Sequence, residues 1–136
     1  MDFFITEIGD WDTLSASLIA CSEGGATAVE YVGDIEDATG ADDVILVVVS
    51  HVSGMASYAL QLYSGGLIHV PDDALAMHIA LATGSTVIFG DETLAPTAYL
   101  ACRPDGSLAP VTIDGDRLED AGVLVYRDIE APSGSQ

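Results

Sequence analysis

Val44-Ile45-Leu46-Val47-Val48-Val49 is an unbroken run of six apolar residues, five of them β-branched. Such a run, bounded by polar residues and too short for a helix, predicts a strand covered on both faces. Downstream, Ser53-Gly54 signals a turn, and Tyr58, Leu60 and Leu62 then alternate with Ala59, Gln61 and Tyr63. Ser64-Gly65-Gly66 turns the chain again, so that Leu67–Val70 completes a predicted three-stranded meander. The whole stretch Val44–Pro71 lacks Asp, Glu, Lys and Arg. It still falls short of the ~20 continuous apolar residues of a membrane span, because Ser50, His51, Ser53, Gly54, Ser57 and Gln61 interrupt it. No membrane association is expected.

Upstream of this run, Phe3–Ile8 reads as a strand closed by Gly9. Asp12 is the expected N-cap of a short helix over Thr13–Cys21, with Leu14, Leu18 and Cys21 on one face. Ala26–Val32 is a second strand and Gly33–Asp43 a polar loop. Downstream, Asp72 is expected to cap a helix in which Leu75, Ile79 and Ala82 share a face, Asp73 meets the positive end of the dipole and Gly84 terminates the helix. Thr86–Phe89 is a further strand. Thr97–Cys102 and Leu108–Ile113 flank the hairpin loop Arg103-Pro104-Asp105-Gly106-Ser107. Arg117–Asp120 makes a helical turn, Val123–Tyr126 is a last strand, and 131–136 is a disordered tail. The expected fold is one α+β domain over 1–130: a mostly antiparallel sheet of six to eight short strands packed with two helices.

The 136 residues carry 22 Asp and Glu against three Arg, with no Lys, for a formal net charge of -19. Disorder requires high charge together with low hydrophobicity, and 49% of these residues are apolar, so the chain is expected to fold. Arg103, Arg117 and Arg127 each lie beside an acid or one residue away from one, leaving no basic patch for phosphates. Direct nucleic-acid binding is therefore not expected. Cys21 and Cys102 are far apart and form no C-x-x-C pair, which points to two buried free thiols in a reducing compartment. Asp2 precedes only a short apolar run, unlike a secretory signal, and the expected location is the cytoplasm.

Motifs for catalysis are weak. His51, His69 and His78 have no H-E-x-x-H or H-x-H spacing, and they read as hydrogen-bonded structural histidines. There is no G-x-S-x-G elbow. Asp42-Asp43, Asp72-Asp73 and Asp91-Glu92 lie in loops or at a helix start, where solvent keeps both carboxylates charged, unlike a glycosidase pair. Asp114-Gly115-Asp116 opens like a calcium loop, but Arg117 and Leu118 then occupy positions that need oxygens. The glycine pairs lack phosphate-cradle spacing. The expectation is a protein that is not an enzyme and holds no metal or cofactor.

The distribution of acids is more informative. Residues 1–102 hold 15 acids and no Arg or Lys. These acids gather in the segment Glu30–Asp43, at Asp72-Asp73 and at Asp91-Glu92, and leave the apolar segments clean. Such a surface steers a basic partner and fixes its register. Tight binding also needs buried aromatic anchors, for which Trp11, Tyr31 and Tyr58 are the candidates, each also suited to packing against the core.

A pattern in the chain supports a partner. The helix Asp72–Thr83, then Gly84-Ser85-Thr86-Val87-Ile88-Phe89-Gly90-Asp91-Glu92-Thr93, Pro96, Tyr99-Leu100, Pro104-Asp105-Gly106-Ser107 and Val111–Asp114 resembles the small immunity proteins encoded beside bacterial polymorphic and contact-dependent toxins. The resemblance covers about the last 65 residues. It implies a cytoplasmic antitoxin that plugs the active site of a cognate protein toxin with a basic, nucleic-acid- or nucleotide-binding cleft. Asp34, Glu36, Asp37, Asp42, Asp43, Asp91 and Glu92 would then stand in for substrate phosphates. Two other readings use the same acids: an acidic DNA mimic that inhibits a DNA-binding enzyme, and a non-catalytic domain adapted to a high-salt cytoplasm.

Overall fold

A computed structural model describes residues 1–90 and 99–129. The chain enters on β1 (Asp2–Ile5), shorter than the predicted Phe3–Ile8, and continues into α1 (Trp11–Ala20). Asp10 rather than Asp12 caps this helix: its carboxylate accepts the Asp12 amide at 2.9 Å and the Thr13 hydroxyl at 3.2 Å. Asp12 falls instead in the first turn, where its charge still opposes the helix dipole. β2 (Ala28–Val32) follows, then a single 3-10 turn at Ile35–Asp37, then β3 (Val44–His51).

The apolar run does form the long strand that the sequence predicts. It pairs antiparallel with β5 (Tyr58–Tyr63), from Leu46 opposite Tyr63 to His51 opposite Tyr58. Between them Val52 donates to the Ser57 carbonyl at 3.0 Å, closing the hairpin. Its tip, Ser53–Gly54, is more than a turn: it forms the short strand β4. Leu67–Val70 is not a strand, so the meander has two strands rather than three. In the sheet β1 takes the place beside β5. Leu67, Ile68 and Val70 instead pack as loop residues against the core beneath the helices.

α2 (Asp72–Thr83) starts after Pro71, which holds the N-cap position, and Asp72 and Asp73 occupy the first turn. Gly84 ends it with φ of 69°, donating to the Ala80 carbonyl at 3.0 Å as a left-handed cap does. Its buried face is Leu75, Ala76, Ile79 and Ala80, whereas Ala82 is exposed. β6 (Val87–Gly90), β7 (Tyr99–Cys102) and β8 (Leu108–Ile113) continue the sheet. The predicted hairpin loop joins the last two, with Arg103 donating to the Ser107 carbonyl at 2.9 Å and Gly106 at φ of 88°. The turn expected at Arg117–Asp120 extends into α3 (Gly115–Ala121), capped by Asp114, whose carboxylate accepts the Arg117 amide at 3.2 Å. The predicted last strand is split into β9 (Val123–Leu124) and β10 (Tyr126–Asp128).

These strands make an eight-stranded sheet in the order β10-β8-β7-β6-β1-β5-β3-β2. All neighbours are antiparallel except β2 and β3, which are parallel and joined by the crossover 33–43. The fold is α+β, as expected, with three helices among the described residues. α1 and α2 cover one face, burying Phe3, Ile5, Ile45, Val47, Leu60 and Leu62 of the strands beneath Leu14, Leu18, Leu75 and Ile79. On the other face a second layer, formed by α3 and the parallel pair β4–β9, covers β6–β8 and reaches Phe4 of β1. Its core joins Leu124 and Ala56 to Ile88, Ala101 and Val111.

Both cysteines are free and buried. Burial, with a smaller contribution from Asp73, pushes the Cys102 thiol up to about 11, and burial raises Cys21 too. A thiol whose folded pKa is raised adds stability that is complete below its unfolded value, near 9, and lost as pH climbs through 11. Chemical denaturation is expected to show stability falling between pH 9 and 11, with a smaller fall in Cys102→Ala. Ellman's reagent should label neither thiol until the chain unfolds.

Candidate functional site

Trp11, Tyr31 and Tyr58 come from three separate parts of the sequence and meet at one end of the sheet. Register explains the meeting. Tyr58 is the first residue of β5, opposite Ile5, the last of β1, and opposite His51, the last of β3. Tyr31 lies near the C-terminal end of β2, opposite Val47. Both tyrosines point to the helical side, where the start of α1 brings Trp11 between them. The Trp11 ring meets Tyr31 edge-on with centroids 4.8 Å apart and Tyr58 edge-on at 5.3 Å. His51 stacks obliquely on Tyr58 at 5.0 Å. The three predicted aromatics are half-buried: their inner edges rest on the core and their outer edges face solvent.

Polar contacts fix the cluster. The Tyr31 hydroxyl lies 2.8 Å from the Ser15 hydroxyl and donates to the Trp11 carbonyl at 3.5 Å. Burial raises the Tyr31 pKa, the Ser15 bond offsets part of that, and the negative charge of Asp12 raises it further. Asp12, in the first turn of α1, thus acts on Tyr31, and the capping Asp10 directly precedes Trp11. Asp34 follows Tyr31 by three residues, within ~10 Å of chain.

The crossover acids divide into two groups. Asp34, Glu36 and Asp37 are exposed at the C-terminal end of β2, where Asp34 caps the 3-10 turn by accepting the Glu36 amide at 3.0 Å. Asp42 and Asp43 precede Val44, which pairs with Ala28 at the opposite end of β2. There Asp43 accepts the Thr27 hydroxyl at 2.8 Å. A five-residue strand places the two groups ~16 Å apart, so the acids expected on one loop surface do not form one cluster. Asp91 and Glu92 lie outside the described residues.

The histidines do not converge. His51 joins the aromatic cluster, His69 is exposed in a loop, and Nδ1 of His78 is 2.6 Å from the hydroxyl of Ser17 between α1 and α2. Ser17 is buried in that helix contact. Among the described residues no three His, Cys, Asp or Glu lie close enough to hold a metal ion, and no helix is long and apolar enough to cross a membrane. Arg103 pairs with Asp128 at 2.6 Å, and Arg117 lies 3.8 Å from Asp114. The positive charges therefore stay at the β8–β10 side, away from the aromatic end. Trp11, Tyr31 and Tyr58 are legible in the sequence as anchor candidates; the place of His51, Asp10 and Asp12 beside them is not assigned there. Cross-strand register brings His51 in, which no local signal carries, whereas Asp10 and Asp12 flank Trp11 in the chain itself. No protein-family model, curated protein or solved structure matches the chain.

Proposed function

We propose that this protein is an immunity-type inhibitor that binds a basic protein toxin and blocks its active cleft, with no chemistry of its own. The observation that carries the reading is the convergence of Trp11, Tyr31 and Tyr58, half-buried, with Asp10 and Asp12 on either side of Trp11 in the chain and the Asp34–Asp37 acids just after Tyr31. Binding energy concentrates in such central aromatic anchors, while surrounding charges accelerate encounter and reject wrong partners. With acids at the rim and aromatics at the centre, the surface suits a partner whose own cleft is lined by Lys and Arg. The toxin's cleft would present to these carboxylates the groups it otherwise presents to substrate phosphates. The cytoplasm, where a nucleic-acid-directed toxin acts, is the matching location.

The test is co-production with the effector domain encoded beside this gene. The parent chain should restore growth. A variant with Asp34, Glu36 and Asp37 changed to Lys should protect poorly, its association rate lowered about 10- to 1000-fold at low salt. Reversing Asp42 and Asp43 instead, at the far end of β2, should have the smaller effect. Equal protection by the Asp34, Glu36 and Asp37 variant and the parent would overturn the assignment of this end. Displacement of the captured partner by duplex DNA would favour the DNA-mimic reading instead.

A further inference from the structure

β2, β3 and β5 bury one face under the helices, and among the described residues no helix or second sheet packs on the other. On that open face the register sets Glu30, Leu46 and Tyr63 in one row, and Val32, Val48, Gln61 and Asp2 in the next. Val32, Val44, Leu46, Ala59 and Tyr63 belong to neither of the two packed clusters; Tyr63 is 44% exposed, the others are half-buried, and Val48 between them is buried at 7%. The face has two banks. On one side the crossover folds over β2, where Thr39 donates its amide and its hydroxyl to the Glu30 carboxylate, both at 3.1 Å. On the other stands the second layer, packed against Phe4 of β1. Between them β3 and β5 form the floor of a trough ~10–15 Å wide, given a strand spacing near 4.8 Å.

We infer, on the premise that the partner is basic as proposed above, that this trough receives one basic amphipathic helix of that partner. The width matches a single helix, whose diameter with side chains is ~10–12 Å. Sheet faces of this kind are ordinarily closed by helices, as α1 and α2 close the opposite side. The apolar floor, a handful of side chains with Val48 already buried, falls short of the ~800 Å² that each side of a stable interface contributes. A stable occupant must therefore also contact the banks. Asp2 and Glu30 lie within the rows, Asp34, Glu36 and Asp37 stand at one end of the crossover bank, and Asp42 and Asp43 stand at the other. A second copy of this chain, at net charge -19, would set carboxylates against carboxylates there. A helix with a Leu stripe and flanking Lys or Arg meets both the floor and the banks.

An 18-residue amphipathic Leu/Lys peptide is the probe, with a peptide of the same composition whose leucines are spread around the helix as control. In a ¹⁵N-labelled sample of the full chain, the amphipathic peptide should bind at least tenfold tighter than the control. Amide shifts should map to Leu46, Val48, Gln61 and Tyr63. The double variant Leu46→Ser, Tyr63→Ser, checked for an intact spectrum, should bind about tenfold more weakly. Equal affinity for the two peptides, shifts confined to the Trp11 end, or a dimer in sedimentation that the double variant dissolves would each overturn the trough assignment. If the trough fails in this way while the Asp34, Glu36 and Asp37 reversal still abolishes protection from the toxin, the basic-partner reading stands alone. If the peptide maps to the trough but that reversal leaves protection intact, the trough stands and the aromatic end does not.

Discussion

Gly54→Ala is expected to destabilise the protein by about 3 kcal/mol or more, read as a lower denaturation midpoint. Two independent effects add at this position. Gly54 has φ of 90°, a conformation that costs a residue with a Cβ ~1–3 kcal/mol. The added Cβ would also lie 2.5 Å from the Leu124 carbonyl oxygen and 2.9 Å from Cγ1 of Val123. That oxygen cannot withdraw freely, because it accepts the Met55 amide at 2.8 Å and belongs to the β4–β9 pair. Leu124 itself is fully buried in the second-layer core, so relief of the clash must pull that core apart. Amide exchange should quicken first at Met55, Val123 and Leu124, and much less under α1 and α2. A variant as stable as the parent would mean that β4 and β9 do not hold the second layer in place.

Trp11→Ala is expected to act twice, on folding and on binding. Trp11 is half-buried, so its truncation should cost about 2–3 kcal/mol, below the 3–5 typical of a fully buried Trp or Phe. Part of this is the loss of two edge-on aromatic contacts, each worth ~0.5–1.5 kcal/mol beyond area burial. As an anchor its loss should weaken toxin binding by a further ~2 kcal/mol or more, roughly 30-fold. Trp11→Phe separates the two effects: it keeps a ring between Tyr31 and Tyr58, so it should recover most of the stability and less of the affinity. Titration calorimetry on both variants at a temperature where each is folded provides the measurement. Unchanged affinity in Trp11→Ala would leave the cluster a packing feature and remove the aromatic anchor from the proposed function.

The parts of the fold legible in the sequence are those set by local chemistry. The β-branched run Val44–Val49, the alternation over Tyr58–Tyr63 and the left-handed glycines Gly84 and Gly106 announce themselves within a few residues. The misread parts involve competition between neighbouring options. Asp10 and Asp12 are both good caps, and geometry at the exit of β1 selects Asp10. Leu67–Val70 has strand composition, but both edges of β5 are already taken by β1 and β3, so no partner remains for it there. Ser53-Gly54 reads as a turn because its pairing partner, β9, lies some 70 residues downstream.

The sequence by itself determined that this chain folds, that its sheet is mainly antiparallel, and that its acids avoid its apolar segments. Those properties follow from composition and short-range periodicity, which every residue carries with it. Only the tertiary structure decided which surfaces exist. It gathered Trp11, Tyr31, Tyr58 and His51 at one end and parted Asp34–Asp37 from Asp42-Asp43 along β2. Among the described residues, it also set the second layer over one part of a sheet face and not over β2, β3 and β5. The physical reason is register: cross-strand alignment joins residues tens of positions apart. A single-residue slip of a strand would turn Tyr31, Tyr58 or His51 to the other face.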